Sequence, residues 1–131
     1  MFAKYFTPKE ANRLLPVLKP IVTEILAKGK KLRTMMKADP EFAASTEAMR
    51  MQEVISDLTS DLEQNGCFFK DWNFEVGLVD FPAIVDDEEV LLCWRSDEGE
   101  VLWYHGVEDG YAGRRPVPEY WLLDMKEFGR S

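Results

Sequence analysis

The side chains that could take part in catalysis or bind a ligand lie in the second half of the chain. His105, the only histidine, is followed by Glu108 and Asp109. A histidine beside a carboxylate can act as a general base, and the same groups predict a divalent metal site if Asp80 joins His105 and Asp109. No H-E-x-x-H motif supports this hypothesis, and catalytic zinc sites usually have two or three histidine or cysteine ligands. The alternative is a structural histidine that forms hydrogen bonds at a strand end, and on that interpretation no cofactor is predicted.

Asp80 lies within an apolar run, residues 78–81, where a carboxylate is costly to bury unless it is paired. Arg95, Arg114 and Arg115 are its natural partners. The pairing could be purely structural, or it could leave a carboxylate with a perturbed pKa in a pocket, as at many functional sites.

Residues 110–116 read Gly-Tyr-Ala-Gly-Arg-Arg-Pro, which is typical of an anion-binding loop. Glycines let backbone amides approach a ligand, and arginines bind carboxylate or phosphate groups through two donors at once. The alternative is that the arginines only neutralise acidic neighbours and that the nearby large rings fill the core. The combined pattern predicts a ligand-binding pocket lined by Asp80, Trp94, Arg95, Trp103, His105, Tyr111, Arg114 and Arg115.

The composition is that of one globular domain spanning residues 1–131. Hydrophobic residues make up 46% and charged residues 31%, which is enough apolar material for a core and argues against disorder. The net charge of −8 is uneven: residues 1–66 have ten Lys/Arg against nine Asp/Glu, and residues 67–131 have six against fifteen. Because nucleic acids and anionic membranes are bound through positive potential, neither is an expected partner.

Cysteine content and apolar run lengths favour a reduced compartment. Cys67 and Cys93 are the only cysteines, whereas a secreted domain of this size usually has several disulfides. We predict both to be unreactive core thiols, since neither belongs to a C-x-x-C motif. No signal peptide and no apolar run of about 18 residues is visible, so a cytoplasmic protein is expected.

Residues 1–66 carry the signals of a helical hairpin. Thr7-Pro8-Lys9-Glu10 reads as a capping box with proline at the first helical position. Pro16 and Pro20 predict a kink near residues 13–20, because each lacks the N–H of a helical hydrogen bond. Apolar residues recur at the three- and four-residue spacing of a helix packed along one seam, with Gly29 included: Leu18, Val22, Ile25, Leu32 and Met36.

A second helix is predicted to follow, with seam residues Ala48, Met51, Ile55, Leu58 and Leu62. Asp39-Pro40 can cap it, although Ser45-Thr46 is an alternative start, and Asn65-Gly66 provides a left-handed stop. Because a two-helix hairpin leaves apolar flanks uncovered, it must pack on the sheet, on a second copy of the chain, or on both. We predict a homo-oligomer formed through the helices, with a dimer favoured.

Residues 67–131 predict a three- or four-stranded antiparallel sheet and a C-terminal tail whose apolar patch, residues 120–123, docks on the body; the fold class is α+β. Strands are expected at 67–70, 77–81, 90–95 and 101–105, with acidic turns at 86–89 and 96–100. Pro82 is expected at an edge or bulge where the second strand ends. In the last hairpin a three-residue loop would pair Arg95 with Val101. A four-residue loop would pair Trp94 with Trp103 and exchange the two faces.

Several motifs together resemble those of one family. They are Phe6-Thr7-Pro8-Lys9-Glu10-Ala11-Asn12 with Leu14-Leu15-Pro16, then Gly77–Pro82, Leu92–Arg95, His105 and Gly110–Arg114. Over residues 5–118 the chain resembles the domain-of-unknown-function 2203 family. The resemblance implies a small soluble bacterial protein, and it brings no activity, cofactor or catalytic residue.

Two function hypotheses follow from these residues. The first is a non-catalytic binding or assembly module, in which the helices mediate self-association and a pocket on the sheet takes a small anionic ligand. The alternative is a metal-assisted hydrolase that uses His105 and nearby carboxylates, with Arg114 steadying the anion. Both hypotheses require imidazole, carboxylate and guanidinium groups to line one hollow beside the helix pair, and whether the protein is an enzyme stays open.

Overall fold

Two long helices precede a five-stranded antiparallel sheet in the computed structural model, which describes residues 2–122. In chain order the elements are helix α1 (Pro8–Ala38), a 3-10 helix (Pro40–Ala44), helix α2 (Thr46–Gln64), strands β1 (Phe68–Phe69), β2 (Leu78–Val85), β3 (Glu88–Arg95) and β4 (Trp103–Gly106), a 3-10 turn (Tyr111–Gly113), strand β5 (Arg115–Pro116) and helix α3 (Glu119–Leu122). The strands lie side by side in sequence order. The predicted α+β fold is confirmed, and β5 is a strand that the sequence pattern did not predict.

Helix α1 begins at the predicted capping box. The Thr7 hydroxyl accepts from the Glu10 N–H, and the Glu10 carboxylate accepts from the Thr7 N–H. The helix continues through Pro16 and Pro20, which lie in its N-terminal half. Its predicted seam is shielded from solvent, since five of the positions are buried and the sixth is half-buried: Leu18, Val22, Ile25, Gly29, Leu32 and Met36.

Helix α2 begins one residue after Ser45, so the alternative start is the correct one. The Ser45 side chain accepts from the Ala48 N–H, which is the standard N-cap hydrogen bond. Asp39 and Pro40 start the short 3-10 helix instead. The predicted stop is confirmed at Gly66, whose φ of 91° lies in the left-handed region that favours glycine.

Strand β2 runs past its predicted end at Pro82. This proline lies opposite Leu91 of β3, while β1 pairs only with residues 79 and 80 of β2. The Pro82 carbonyl points to the β1 side, where it accepts from the Phe6 N–H at 2.7 Å. The missing proline N–H would point to the same side, where β1 has already ended, so no ladder hydrogen bond is lost.

The predicted four-residue acidic turn contracts to two residues. Asp86 and Asp87 have φ values of 53° and 66°, which is the backbone of a type I′ hairpin turn. Residues 88 and 89 of the predicted turn belong to β3 instead. The shorter turn fixes the register of β2 against β3, and with it the side chains that meet across these strands.

The pairing of β3 with β4 decides between the two predicted registers. Cys93 lies opposite Trp103 and Leu91 opposite His105, which is the register of the three-residue loop. Alternate residues therefore face opposite sides of the sheet. One side packs on the helices and is called the core face here, with Val79, Phe81, Ala83, Val90, Leu92, Trp94 and Tyr104. The other side, the outer face, carries Asp80, Cys93, Trp103 and His105.

The segment after β5 also contributes to the core. Trp121 is 7% exposed, and its ring centroid lies 4.6 Å from that of Tyr104. The rest of the expected apolar patch is more open, since Tyr120 is half exposed, and Leu123 lies outside the described residues. Of the helices within residues 2–122, none has both the length and the apolar character needed to cross a membrane.

Candidate functional site

Three polar side chains from neighbouring strands converge on the outer face. Asp80 of β2 lies opposite Cys93 of β3, and His105 of β4 lies two residues beyond the partner of Cys93. One donor atom from each residue lies within 4.8 Å of the others. The three residues are only 3%, 1% and 2% exposed, so this cluster is shielded from bulk solvent.

The hydrogen bonds of His105 leave one ring nitrogen facing the cluster. Its Nδ1 lies 2.7 Å from the Gly106 carbonyl oxygen, and because a carbonyl only accepts, Nδ1 carries a proton and donates. Nε2 lies 3.2 Å from each carboxylate oxygen of Asp80. An unprotonated Nε2 would set its lone pair against those of the carboxylate. The arrangement therefore needs a cation, which is either a proton on Nε2 or a metal ion between the two side chains.

In the metal-free protein the proton fills this role. The hydrogen bond to Asp80 is the largest cause, and the hydrogen bond to Cys93 adds to it, so the pKa of His105 rises from 6.5 to about 10. Burial acts in the opposite direction, because it disfavours the charged imidazolium. The result at neutral pH is a buried ion pair between imidazolium and carboxylate.

The cluster forms the floor of a hollow of about 260 Å³. Its lining residues are Lys70, Leu78, Asp80, Cys93, His105, Val107, Gly110 and Tyr111. Four of them, at positions 70, 107, 110 and 111, are exposed and form the rim. The hollow therefore opens on the side of the sheet away from the helices. The prediction that it lies beside the helix pair is wrong, because the polar residues of β2, β3 and β4 all have the outward parity.

Two of the predicted arginines lie next to the hollow and are held by carboxylates of the 96–100 turn. Arg114 donates to Glu98 at 2.8 Å and to the Cys93 carbonyl at 3.3 Å. Its guanidinium lies 4.8 Å from the ring centroid of Trp103 and 4.9 Å from that of Tyr111. Arg95 pairs with Asp97 and donates to the Tyr111 hydroxyl. These contacts fix Tyr111 at the rim, and they leave both arginines already neutralised.

Two residues of the predicted pocket lie elsewhere. Trp94 is buried on the core face, where its indole N–H donates to the Glu98 carbonyl at 2.9 Å. Arg115 is exposed, and its guanidinium lies 4.9 Å from the ring centroid of Tyr104, a residue of the core face. Both lie outside the hollow because successive side chains of a strand point to opposite faces, and these two have the alternation of the core face.

Cys93 takes the place that the sequence hypothesis gave to Asp109. The Asp109 carboxylate accepts from the Gly106 N–H at 3.2 Å and so closes the turn after β4. Cys93 was predicted to be an inert core thiol, yet it lines the hollow, with its donor atom within 4.8 Å of those of His105 and Asp80. The available signal was strand parity, since the three-residue-loop register already places Cys93, Trp103 and His105 on one face.

The geometry favours metal coordination over nucleophilic catalysis. In a cysteine–histidine–carboxylate triad one ring nitrogen receives the thiol proton and the other donates to the carboxylate. Here Nε2 faces the Asp80 carboxylate and Nδ1 donates to the Gly106 carbonyl, so neither ring nitrogen is free to receive the proton of the Cys93 thiol. Convergence of a nitrogen, a sulfur and an oxygen donor on one point is the pattern of a transition-metal ligand set.

These features define an α+β protein with a helical hairpin on one side of a meander sheet and a polar, enclosed cluster on the other. Residues 4–117 match the family described as Uncharacterized conserved protein (DUF2203), and the chain belongs to this family. The resemblance stated from the sequence motifs is thereby confirmed. No curated protein and no solved structure matches the chain significantly.

Proposed function

We propose that the protein binds one divalent transition-metal ion through Asp80, Cys93 and His105, and that the ion holds a small ligand in the hollow above it. Zinc is the first ion to test, because it accepts carboxylate oxygen, thiolate sulfur and imidazole nitrogen together. The observation that carries the proposal is the convergence of these three donor atoms within 4.8 Å at the floor of the hollow.

The second contact of the histidine supports this assignment. Metal-binding histidines usually donate their other ring N–H to a carboxylate or a backbone carbonyl, which fixes the tautomer and the ring orientation. His105 has this contact, from Nδ1 to the Gly106 carbonyl at 2.7 Å. The ring is thus already oriented with Nε2 toward Asp80, and a metal ion would replace the proton now shared between them.

The charges of the site also suit a divalent cation. A carboxylate from Asp80 and a thiolate from Cys93 together carry the charge that neutralises a 2+ ion, and His105 would bind as neutral imidazole. Buried charges are tolerated when they are paired or coordinate a metal. Three protein ligands leave one position of a tetrahedral zinc open, and in this protein that position would face the hollow.

The test is metal analysis of the full chain, purified without affinity tag or chelator, loaded with zinc and freed of excess. We expect one zinc per chain. In Asp80→Asn, Cys93→Ser and His105→Gln we expect zinc affinity to fall by more than ~100-fold, because changes to residues that only support the ligands already cost ~10–100-fold. Cys67→Ser is the matched control, because Cys67 is the other buried thiol and lies outside the hollow. Absence of zinc from the unaltered chain, or equal loss in Cys67→Ser, would refute the proposal.

A second readout covers variants that fail to fold. Loading the unaltered chain with Co²⁺ in place of zinc gives visible and near-ultraviolet absorption that reports the ligand set. A thiolate ligand adds a sulfur-to-cobalt charge-transfer band, which we expect with the unaltered chain and with Cys67→Ser. A bound cobalt ion without that band would exclude Cys93 as a ligand.

A metal-assisted hydrolase is the second candidate, and the open side of the ligand set favours it. A zinc-bound water can become a nucleophile near neutral pH. The Tyr111 hydroxyl is fixed at the rim by Arg95, where it could contact a substrate. The test is zinc-dependent hydrolysis of simple carboxylic and phosphoric esters, with His105→Gln as the blank.

We also propose that the protein self-associates through its helices and that it is cytoplasmic. Val17 on α1 and Met49 and Val54 on α2 are 53%, 55% and 39% exposed, which leaves apolar side chains on the helical hairpin for a partner. Light scattering after size exclusion measures the mass directly. Met49→Lys is expected to shift a dimer toward the monomer, and a monomeric mass for the unaltered chain would refute dimerisation.

A further inference from the structure

We infer that the ligand which completes the site is a small monocarboxylate, held between the metal ion and the ammonium group of Lys70. The inference rests on the proposed metal site and adds the chemical class of its ligand. Lys70 follows β1, on the same side of the sheet as Asp80, and its side chain lines the hollow at the exposed rim.

Lys70 is the cation of the hollow that has no carboxylate partner among residues 2–122. Within residues 2–122 this ammonium group forms no ion pair, and it lies 5.9 Å from the ring centroid of Phe68. The two arginines beside the hollow differ in this respect, because Arg114 pairs with Glu98 and Arg95 with Asp97. An incoming anion therefore meets one free positive charge, and that charge belongs to Lys70.

The net charge of the loaded site selects a monoanion. Metal ion, carboxylate and thiolate sum to zero, so Lys70 leaves the hollow with one uncompensated positive charge. A monocarboxylate neutralises it, whereas a phosphate dianion would leave a net negative charge in a partly enclosed site, which is unfavourable. A carboxylate also has two oxygens, so one can bind the metal ion while the other accepts from the ammonium group.

The size and lining of the hollow restrict the rest of the ligand. At about 30 Å³ per water molecule in the liquid, a volume of 260 Å³ holds roughly eight waters, or a short organic acid. Leu78, Val107 and the ring of Tyr111 form the apolar part of the lining. An apolar tail of a few carbons therefore fits better than a hydroxylated or charged one.

The experiment is isothermal titration of the zinc-loaded full chain with butyrate, and with butyramide and inorganic phosphate as comparison ligands. Butyrate is expected to bind at least tenfold more tightly than either, and Lys70→Gln is expected to weaken butyrate at least tenfold while keeping one zinc per chain. Lys30→Gln is the matched control, because it removes the same charge from the exposed face of α1. It is expected to leave butyrate binding unchanged.

Zinc content measured on the same samples separates the two proposals. If every chain holds one zinc, three results would overturn the carboxylate inference alone. They are no binding of butyrate, equal binding of butyrate and butyramide, or equal effects of the two lysine substitutions on butyrate binding. Absence of zinc from the unaltered chain overturns the metal site and the carboxylate inference together. Butyrate binding that is the same in zinc-free protein would show that the metal ion takes no part in it.

Discussion

Replacement of Asp80 by Asn removes the carboxylate that pairs with His105 and preserves the side-chain shape. At about 1.36 kcal/mol per pKa unit, a rise from 6.5 to about 10 corresponds to about 5 kcal/mol of preferential stabilisation of the imidazolium in the folded state. At pH 7 about 4 kcal/mol of this remains, because the histidine of the unfolded chain is by then mostly neutral. Removal of one partner from a buried ion pair typically costs about 3–5 kcal/mol, in agreement with this value. Because the hydrogen bond to Asp80 is the largest of several causes, we expect Asp80→Asn to lose most of this, about 3–4 kcal/mol of unfolding free energy at pH 7, in protein without metal.

The same pair predicts the pH dependence of stability. The folded-state pKa of His105 is raised above its unfolded value, so the stabilisation is complete below pH 6.5 and is lost as the pH rises through about 10. The difference in unfolding free energy between the unaltered chain and Asp80→Asn should therefore be largest between about pH 5 and pH 6.5, where an ordinary carboxyl group is ionised, and shrink steadily between pH 6.5 and pH 10.

Urea unfolding followed by circular dichroism in the presence of a chelator measures this difference at several pH values. Asp57→Asn is the matched control, because Asp57 is an exposed carboxylate on α2. It is expected to change stability by less than about 0.5 kcal/mol at every pH. A loss below about 1 kcal/mol for Asp80→Asn at pH 7, or a difference that stays constant up to pH 10, would show that the imidazolium pair does not form.

Three further predictions concern the scaffold, and all are checked by urea or thermal unfolding. Gly29→Ala should cost about 1–3 kcal/mol because its Cβ would overlap the Phe74 ring, whereas Gly99→Ala meets open space and should be neutral; equal effects would contradict the packing argument. Ser45→Ala should cost about 1 kcal/mol through loss of the N-cap of α2, and an unchanged midpoint would count against it. Asp87→Gly should stabilise by about 1 kcal/mol, since φ at this position is 66°; destabilisation would show that the aspartate side chain has another role.

The helices could be predicted because their signals are local. The capping box at Thr7 and the three- and four-residue spacing of the seam depend only on neighbours along the chain, and the structure confirms them. The start of α2 was uncertain for the same local reason. Both Asp39 and Ser45 are good N-caps, and each does cap a helical segment, the first a 3-10 turn and the second α2.

The site could be predicted only in part, because it depends on register between strands. A four-residue turn at 86–89 would set Asp80 opposite Arg95, which is one of the three arginine partners that the sequence suggested. The observed two-residue turn moves the partner by two positions, so Asp80 lies opposite Cys93. Because the shift is two residues, the partner of Asp80 still lies on the outer face. That partner is a thiol that can bind a metal ion, instead of a guanidinium that would form a salt bridge. Aspartates at both positive-φ positions of that turn are less usual than Asn-Gly, so the pattern did not identify it.

The partners of the arginines depend on how an acidic turn folds. The sequence shows Arg114 in a glycine-containing loop, but the choice of its partner depends on where the acidic turn at 96–100 folds. Glu98 of that turn reaches Arg114 at 2.8 Å and also accepts from the backbone N–H of Arg95. The Glu98 carboxylate thus neutralises Arg114, whose positive charge the anion-binding hypothesis required. The cation that lines the hollow is Lys70 instead.

The contact between Phe6 and Pro82 has a consequence for how the protein must be handled. Beyond residue 80 no strand of the described part of the chain lies beside this edge of β2. The residues before α1 lie along it, with the Phe6 N–H bonded to the Pro82 carbonyl and the Phe6 ring 5.3 Å from that of Phe81. Open sheet edges recruit strands from other molecules and lead to aggregation. Trimming the first six residues uncovers this edge and removes the buried Phe6 ring, and it is therefore expected to produce fibrillar or amorphous precipitate, detectable with thioflavin fluorescence.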